Sequence, residues 1–135
     1  MTSKKLSIEN LTFQATKIDI SNHILTITLN RPEKKNALNN VMMNEINYAL
    51  AYAKQERAIR VVIIAAEGDV FCAGADLNRK QEESNVPRLE GSDDISLSIR
   101  HLYKPVICKI QGSVHAGALL MLSLIHISEP TRRYR

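Results

Sequence analysis

The fold is decided by the stretch VVIIAAEGDVFCAGADL at residues 61–77. It begins with a continuous apolar run, Val61 to Ala66, which is typical of a strand buried on both faces of a parallel sheet. The chain then turns at Glu67-Gly68-Asp69, and Phe71 to Gly74 lead to a predicted helix start near Ala75-Asp76-Leu77. A strand, a turn and a helix in this order predict an α/β fold.

The residues before this stretch complete a crossover unit. Residues 13–20 and 24–29 are rich in β-branched side chains, and Ser21-Asn22-His23 between them predicts a hairpin. A helix is predicted from Asn39, with Asn39 or Asn40 as its N-cap. Apolar residues then recur at helical spacing: Met43, Ile46, Leu50 and Ala53. Strand, helix and buried strand imply a right-handed crossover and a parallel sheet.

The same alternation continues after residue 77. Ser92-Asp93-Asp94 predicts the cap of a short helix that is ended by Pro105. The apolar positions of that helix are Ile95, Ile99 and Leu102. Val106 to Ile110 predicts another buried strand, which leads through a loop into a helix within 112–122. No linker divides residues 10–122, and we therefore predict a single α/β domain.

The charge balance argues against a nucleic-acid partner. The chain has 135 residues and a formal net charge of +4. Residues 123–135 hold three Arg and one Glu and contribute +2, and the other 122 residues, with 15 basic and 13 acidic side chains, contribute +2 as well. So small an excess of positive charge, spread over a whole domain, is typical of a solvated surface. We expect no nucleic-acid binding.

Composition also indicates the compartment. The apolar runs are far shorter than the roughly 20 residues of a membrane helix, so we expect no membrane partner. No apolar run follows the N-terminal lysines, so we expect no secretory signal. Cys72 and Cys108 lack the spacing of metal ligands and are predicted to be reduced thiols. We expect a cytoplasmic protein with no metal.

Two glycine-containing turns offer free backbone amides. The first is at Ala73-Gly74-Ala75, where a tight bend leaves the amide of Ala75 unpaired at the predicted helix start. The second is at residues 111–118, QGSVHAGA, and offers the amide of Gly117. Amides in such positions suit an oxyanion. From the chemistry alone, two purely structural turns are the commoner case.

At these residues the sequence resembles the enoyl-CoA hydratase/isomerase family, also called the crotonase family, from about Phe13 to Leu122. Leu29 to Pro32, with Asn36-Ala37-Leu38, matches the family's early signature, and Phe71 to Leu77 matches its first oxyanion-hole segment. The second segment is matched by three short groups: Lys104 to Ile107, Gln111-Gly112 and Gly117. Three ordered motifs at the family's spacing favour the functional interpretation over two structural turns.

The resemblance implies a spiral of repeated ββα units and a function. Substrates would be acyl-CoA thioesters, so coenzyme A belongs to the substrate and no separate cofactor is implied. The amides of Ala75 and Gly117 would bind the thioester oxygen and stabilise the enolate that forms beside it. Backbone around both turns would hold parts of coenzyme A: Asn36, Ala37, Leu38, Ala73, Asp76 and Leu77. Relatives of this kind imply a role in fatty acid metabolism and a homotrimer or hexamer.

One position departs from the family's hydratases. These carry a glutamate three residues after the second oxyanion glycine, where this chain has Leu120, and leucine cannot transfer a proton. The second glutamate of the hydratases lies beyond the residues that resemble the family. Hydration by the usual glutamate pair is therefore not expected, although isomerisation or another step through a thioester enolate is. The alternatives are a non-catalytic acyl-CoA binder and a nucleic-acid-binding protein with a basic tail.

The last residues differ in character from the rest. From about Leu122 the string LSLIHISEPTRRYR resembles the in-frame translation of a transposase-type sequencing adapter, and such foreign sequence is excluded from fold reasoning. We therefore predict an N-terminal extension at 1–12, a partial enoyl-CoA hydratase/isomerase domain at 13–122 and a non-native tail at 123–135. The rival interpretation of the tail is a genuine edge strand. The truncated ββα spiral is expected to be inactive and not to assemble.

Overall fold

The computed structural model of the protein describes residues 5–76, 82–89 and 94–114, and the backbone of residues 126–128. The elements follow one another as β1 (Thr16–Ser21), β2 (Ile24–Leu29), a 3-10 turn (Pro32–Lys34), α1 (Asn40–Gln55), β3 (Val61–Ala66), β4 (Val70–Cys72), α2 (Ile95–Arg100), β5 (Val106–Lys109), β6 (Ser113–Val114) and β7 (His126–Ser128). The main sheet has the strand order β1-β2-β3-β5-β7. The α/β class is confirmed.

The predicted hairpin is present. Strands β1 and β2 pair antiparallel, and Asn22 and His23 join them with φ angles of 53° and 68°. This left-handed pair gives a two-residue turn the twist that the strands need. Strand β1 begins at residue 16 rather than 13, because the amides of Gln14 and Ala15 donate to the Glu45 carboxylate instead of a neighbouring strand.

Helix α1 begins at the predicted cap and completes the crossover. The Asn39 side chain accepts a hydrogen bond from the Met42 amide at 2.9 Å, which satisfies one of the free donors of the first turn. Ile46, Leu50 and Ala53 are buried in the core. The helix returns the chain to β3, which is parallel to β2 with Leu25 opposite Val62. The parallel pairing across the crossover is therefore confirmed, within a sheet whose first pair of strands is antiparallel.

Helix α2 leads into the next parallel strand, as predicted. The Asp94 side chain caps the helix by accepting from the Ser96 amide at 2.8 Å. The three apolar positions predicted for this segment are buried: Ile95, Ile99 and Leu102. Strand β5 then pairs parallel to β3, with Ile63 opposite Ile107. None of the helices in the described residues is long and apolar enough to cross a membrane.

A second, two-stranded sheet stands beside the first and holds the segment that leads to Ala75. It consists of β4 and β6, which are parallel. The helix start predicted near Ala75 is not seen up to Asp76. Ala75 instead forms a parallel bridge with Leu38, because an extended pairing with a distant loop overrides the local helix signal. Leu77 lies outside the described residues.

Gly112 precedes β6 and packs directly on the backbone at Asp69, in the loop between β3 and β4. A Cβ atom on Gly112 would stand 2.0 Å from the carbonyl oxygen of Asp69. We expect Gly112→Ala to lower the free energy of unfolding by about 1–3 kcal/mol, because the main chain must shift to admit the methyl group. Urea unfolding should show this loss, whereas Ser113→Ala, at an exposed neighbour, should unfold like the wild type. Equal midpoints for both variants contradict the prediction.

The last strand comes from the segment predicted to be a non-native tail. The backbone of β7 pairs parallel to β5, with Cys108 opposite Ile127. This pairing accords with the rival interpretation of the tail as an edge strand. The domain boundary at residue 122 and the origin of the tail stay predictions. At the other end of the chain, residues predicted as an extension contact α1, since the Tyr48 hydroxyl donates to the Ser7 carbonyl at 2.8 Å.

Candidate functional site

Two loops that are far apart in sequence meet at Leu38 and Ala75. The amide of Leu38 donates to the carbonyl of Gly74 at 2.8 Å, and the amide of Asp76 donates to the carbonyl of Leu38 at 2.9 Å. In a parallel bridge of this kind, both bonds go to the peptide groups that flank the opposite residue. The amide and carbonyl of Ala75 therefore point away from Leu38.

The amide of Ala75 has no hydrogen-bond acceptor among the residues that the structure describes, whereas those on either side of it have one. The Ala73 amide donates to the Lys35 carbonyl at 3.0 Å, and the Gly74 amide donates to the Cys72 sulfur at 3.4 Å. Gly74 has a φ of 90°, a conformation that glycine adopts without strain. Ala75 itself is exposed. The turn thus presents one free and accessible backbone donor in the described part of the chain, in an extended bridge and not at the helix start that the sequence predicted.

The loop opposite this donor is held by Asn36. Its side chain is fully buried, donates to the carbonyls of Glu67 and Val70 at 2.8 and 2.9 Å and accepts from the amide of Arg31 at 2.8 Å. The residue has a φ of 55°, in the left-handed region that asparagine tolerates better than most residues. The Asn36 side chain therefore fixes the loop from inside and cannot contact a ligand.

The structure gathers five of the six residues predicted to hold coenzyme A, and their amides are already used. Asn36 and Ala37 donate within the 31–37 loop, to the carbonyls of Arg31 and Lys34. The amides of Leu38, Ala73 and Asp76 are paired between the two loops. The sixth predicted residue, Leu77, lies outside the described residues, as do Gly117 and Leu120. The role of the Gly117 amide as the second donor thus stays a prediction, as does the place of Leu120 at the position of the hydratase glutamate.

The polar contacts of Arg31, in the site, and of Glu45, at the start of β1, were not predicted from the sequence. Arg31 Nη2 lies 3.2 Å from Asp76 Oδ2, and both side chains are largely shielded, with 13% and 18% of their surface exposed. The Arg31 guanidinium also donates to the Ala37 carbonyl. Glu45 is fully buried and accepts from two amides and the Thr16 hydroxyl. Asp76 lies 45 positions from Arg31, and the partners of Glu45 lie 29 to 31 positions from it, so no local pattern could have indicated these contacts.

The two cysteines are buried free thiols, and their surroundings raise the pKa of both. Burial raises the pKa of the Cys72 thiol. Burial, and secondarily the proximity of Cys72, raises the pKa of Cys108 from 9.0 to about 12. Cys72 therefore has the character of a small apolar residue beside the turn at residues 73–76. The described residues contain no group of three or more His, Cys, Asp or Glu placed to hold a metal ion.

These pKa shifts give a prediction about thiol labelling. At pH 8 a thiol-specific disulfide reagent should modify neither Cys72 nor Cys108 in the folded protein, because both stay protonated and buried. Both should react fully in denaturant. The free energy of unfolding should also fall as pH rises from 9 towards 12, because Cys108 ionises in the unfolded chain before it ionises in the folded one. Rapid modification of the folded protein would contradict the assignment.

A model of the enoyl-CoA hydratase/isomerase family matches residues 19–127. Among curated proteins, the chain is 33% identical over 112 residues to the 1,2-epoxyphenylacetyl-CoA isomerase of Escherichia coli, covering 75% of this chain and 41% of that protein. It is 34% identical over 113 residues to the trans-2-decenoyl-[acyl-carrier-protein] isomerase of Streptococcus mutans, covering 78% and 43%. The chain thus spans about two fifths of the length of these curated relatives.

Solved structures agree with this match. An enoyl-CoA hydratase/isomerase from Pseudoalteromonas atlantica superposes with a TM-score of 0.72 at 26% identity, over 86% of this chain and 47% of that one. A probable enoyl-CoA hydratase from Mycobacterium thermoresistibile gives a TM-score of 0.69 at 30% identity, over 86% and 53%. The described sheet and helices are therefore part of the crotonase fold.

Proposed function

The chain belongs to the enoyl-CoA hydratase/isomerase family, and on that premise we propose that its Ala75 amide binds the thioester oxygen of an acyl-CoA substrate. One observation carries the proposal. Of the amides in the turn at residues 73–76, that of Ala75 is the one without an acceptor in the described part of the chain. Its neighbours are paired with the Leu38 loop, and this pairing aims the free donor outward.

The proposed chemistry passes through a thioester enolate. A base removes a proton from the carbon next to the thioester carbonyl, and the electron pair moves onto the carbonyl oxygen. The Ala75 amide donates to that oxygen together with a second donor, the amide of Gly117. Because the donor is fixed before the charge develops, it stabilises the transition state more than the substrate. Leu120 cannot be the base, and the acid/base group is not assigned.

The loops on either side of Ala75 are proposed to hold part of coenzyme A. The amides of Asn36, Ala37, Leu38, Ala73 and Asp76 are occupied within the protein. Contacts from these residues to coenzyme A would therefore use carbonyl oxygens and van der Waals surface rather than amide donors. Coenzyme A enters as a part of the substrate and not as a bound cofactor.

We place this activity in a longer protein. Residues aligned with the curated relatives make up about two fifths of their length, and an acyl-CoA enzyme of this family would need acid/base groups from the remaining part. We accordingly expect no turnover from the 135-residue chain alone. The whole protein is proposed to be a cytoplasmic homotrimer or hexamer of acyl-CoA metabolism.

Exchange of the α-proton separates an enzyme from a simple binder. The whole protein is incubated in D₂O with octanoyl-CoA, and deuterium at the α-carbon is followed by mass spectrometry. Coenzyme A that lacks the acyl group serves in a parallel binding titration. Deuterium uptake that depends on the protein supports enolate chemistry. Tight binding of octanoyl-CoA without any exchange would favour the non-catalytic acyl-CoA binder instead.

A further inference from the structure

The ion pair between Arg31 and Asp76 connects the two loops of the site. One arm of the Arg31 guanidinium lies 3.2 Å from the Asp76 carboxylate, and the other donates to the carbonyl of Ala37. The planar guanidinium of Arg31 thus binds both Ala37, which precedes Leu38, and Asp76, which follows Ala75. It spans the Leu38–Ala75 bridge from the outside.

This connection matters because Ala75 belongs to no helix or strand in the described residues. The direction of its amide depends on the Leu38–Ala75 bridge, which consists of two hydrogen bonds. Asn36 fixes the Leu38 side of the bridge from inside. On the other side, Arg31 joins the side chain of Asp76, the residue after Ala75, to the Leu38 loop.

The surroundings of this pair favour a strong interaction. The side chains of Arg31 and Asp76 are 13% and 18% exposed, and an ion pair shielded from water is screened less than one in solvent. The pair between Lys17 and Glu67 has the same separation, 3.2 Å, but the side chains are 59% and 47% exposed. Such exposed pairs contribute little. The two pairs differ in environment and not in length.

We infer that Arg31 is a positioning residue, which holds the Ala75 amide in the direction that the thioester oxygen requires. The inference rests on the proposed function of Ala75. Arg31 acts through Asp76 and Ala37 and is assigned no contact with the substrate. Loss of the guanidinium should therefore weaken a contact that is strongest in the transition state, so kcat falls more than KM rises.

The requirement is for a guanidinium rather than for a positive charge. Arginine offers several donors in a fixed plane, so it can serve the Ala37 carbonyl and the Asp76 carboxylate together. Lysine has one compact ammonium group on a flexible chain and cannot hold both partners in the same geometry. Arg31→Lys should therefore restore only part of the activity that Arg31→Gln loses.

The test compares kcat and KM of Arg31→Gln, Arg31→Lys and Lys17→Gln in the whole protein. Arg31→Gln should lower kcat by about 10- to 100-fold, the size of effect that a small misplacement of a reacting group produces. Its KM should change by less than about threefold. Lys17→Gln removes the same charge from the exposed pair and should keep wild-type kinetics. Equal kinetics for Arg31→Gln and Lys17→Gln overturn the inference.

A double variant separates positioning from a general loss of structure. If Arg31 acts through the Ala75 amide, then Arg31→Gln should cost little further activity in a protein that already carries Ala75→Pro. If Arg31→Gln instead lowers activity by the same factor in the wild-type protein and in the Ala75→Pro protein, the positioning role is contradicted. If Ala75→Pro alone leaves kcat unchanged, the proposed function itself has failed. If only the Arg31 effect is missing, the inference alone has failed.

Discussion

Replacement of Ala75 by proline in the whole protein should lower kcat/KM by about 100- to 1000-fold. Proline has no amide proton, so the substitution removes the one donor that the turn presents, and loss of a single oxyanion donor has this size of effect. Gly74, the residue before the substituted position, has a φ of 90° and no Cβ atom with which the proline ring could clash. Steady-state kinetics with the best acyl-CoA substrate provide the measurement.

The matched control for this variant is Ala75→Gly, which keeps the amide and removes only a methyl group. It should retain most of the activity, because the proposed contact is made by backbone and not by side chain. Thermal unfolding of both variants shows whether the fold is kept. Similar kinetics for Ala75→Pro and Ala75→Gly, in two folded proteins, would exclude the amide as a donor.

Replacement of Glu45 by alanine should lower the free energy of unfolding by about 3–5 kcal/mol. The buried carboxylate accepts from the amides of Gln14 and Ala15 and from the Thr16 hydroxyl, at 2.7, 3.0 and 2.8 Å. Each buried donor that loses its acceptor costs about 1–3 kcal/mol, and Thr16 and Ala15 are both buried. Urea unfolding measures the loss.

Glu33→Ala serves as the control for this second prediction. Glu33 is an exposed acidic residue in the 3-10 turn, so its removal changes the net charge equally without leaving buried donors. Its free energy of unfolding should stay within a few tenths of a kcal/mol of the wild type, as is usual for surface positions. A loss of stability that is the same for Glu33→Ala and Glu45→Ala would show that charge, and not hydrogen bonding, is responsible.

Much of the fold could be predicted because its signals are local. The hairpin turn at Asn22-His23, the Asn39 cap and the apolar run of β3 are properties of short stretches, and the structure has all three. The start of β1 and the conformation at Ala75 differed from expectation. In both places residues that are distant in sequence change the local structure: Glu45 accepts from the amides before β1, and Leu38 is hydrogen-bonded to Gly74 and Asp76, on either side of Ala75.

The candidate site was predictable only in part for the same reason. A glycine turn after a buried strand indicated an unpaired amide at Ala75, but the sequence assigned it to a helix start, whereas the bridge with Leu38 holds it in the structure. The Asn36 anchor and the Arg31–Asp76 pair join residues 31 to 45 positions apart in sequence. Side chains of these types are common in loops, and their partners are set by the packing of the two loops against each other.

The most direct test of the account is a crystal structure of the whole protein with a bound saturated acyl-CoA. We predict that the thioester oxygen lies about 3 Å from the Ala75 nitrogen and from the Gly117 nitrogen, so that the two nitrogens are within roughly 6 Å of each other. The Arg31–Asp76 contact should be kept in that complex. A thioester oxygen held elsewhere, with the Ala75 amide paired to a backbone carbonyl, would contradict the central claim.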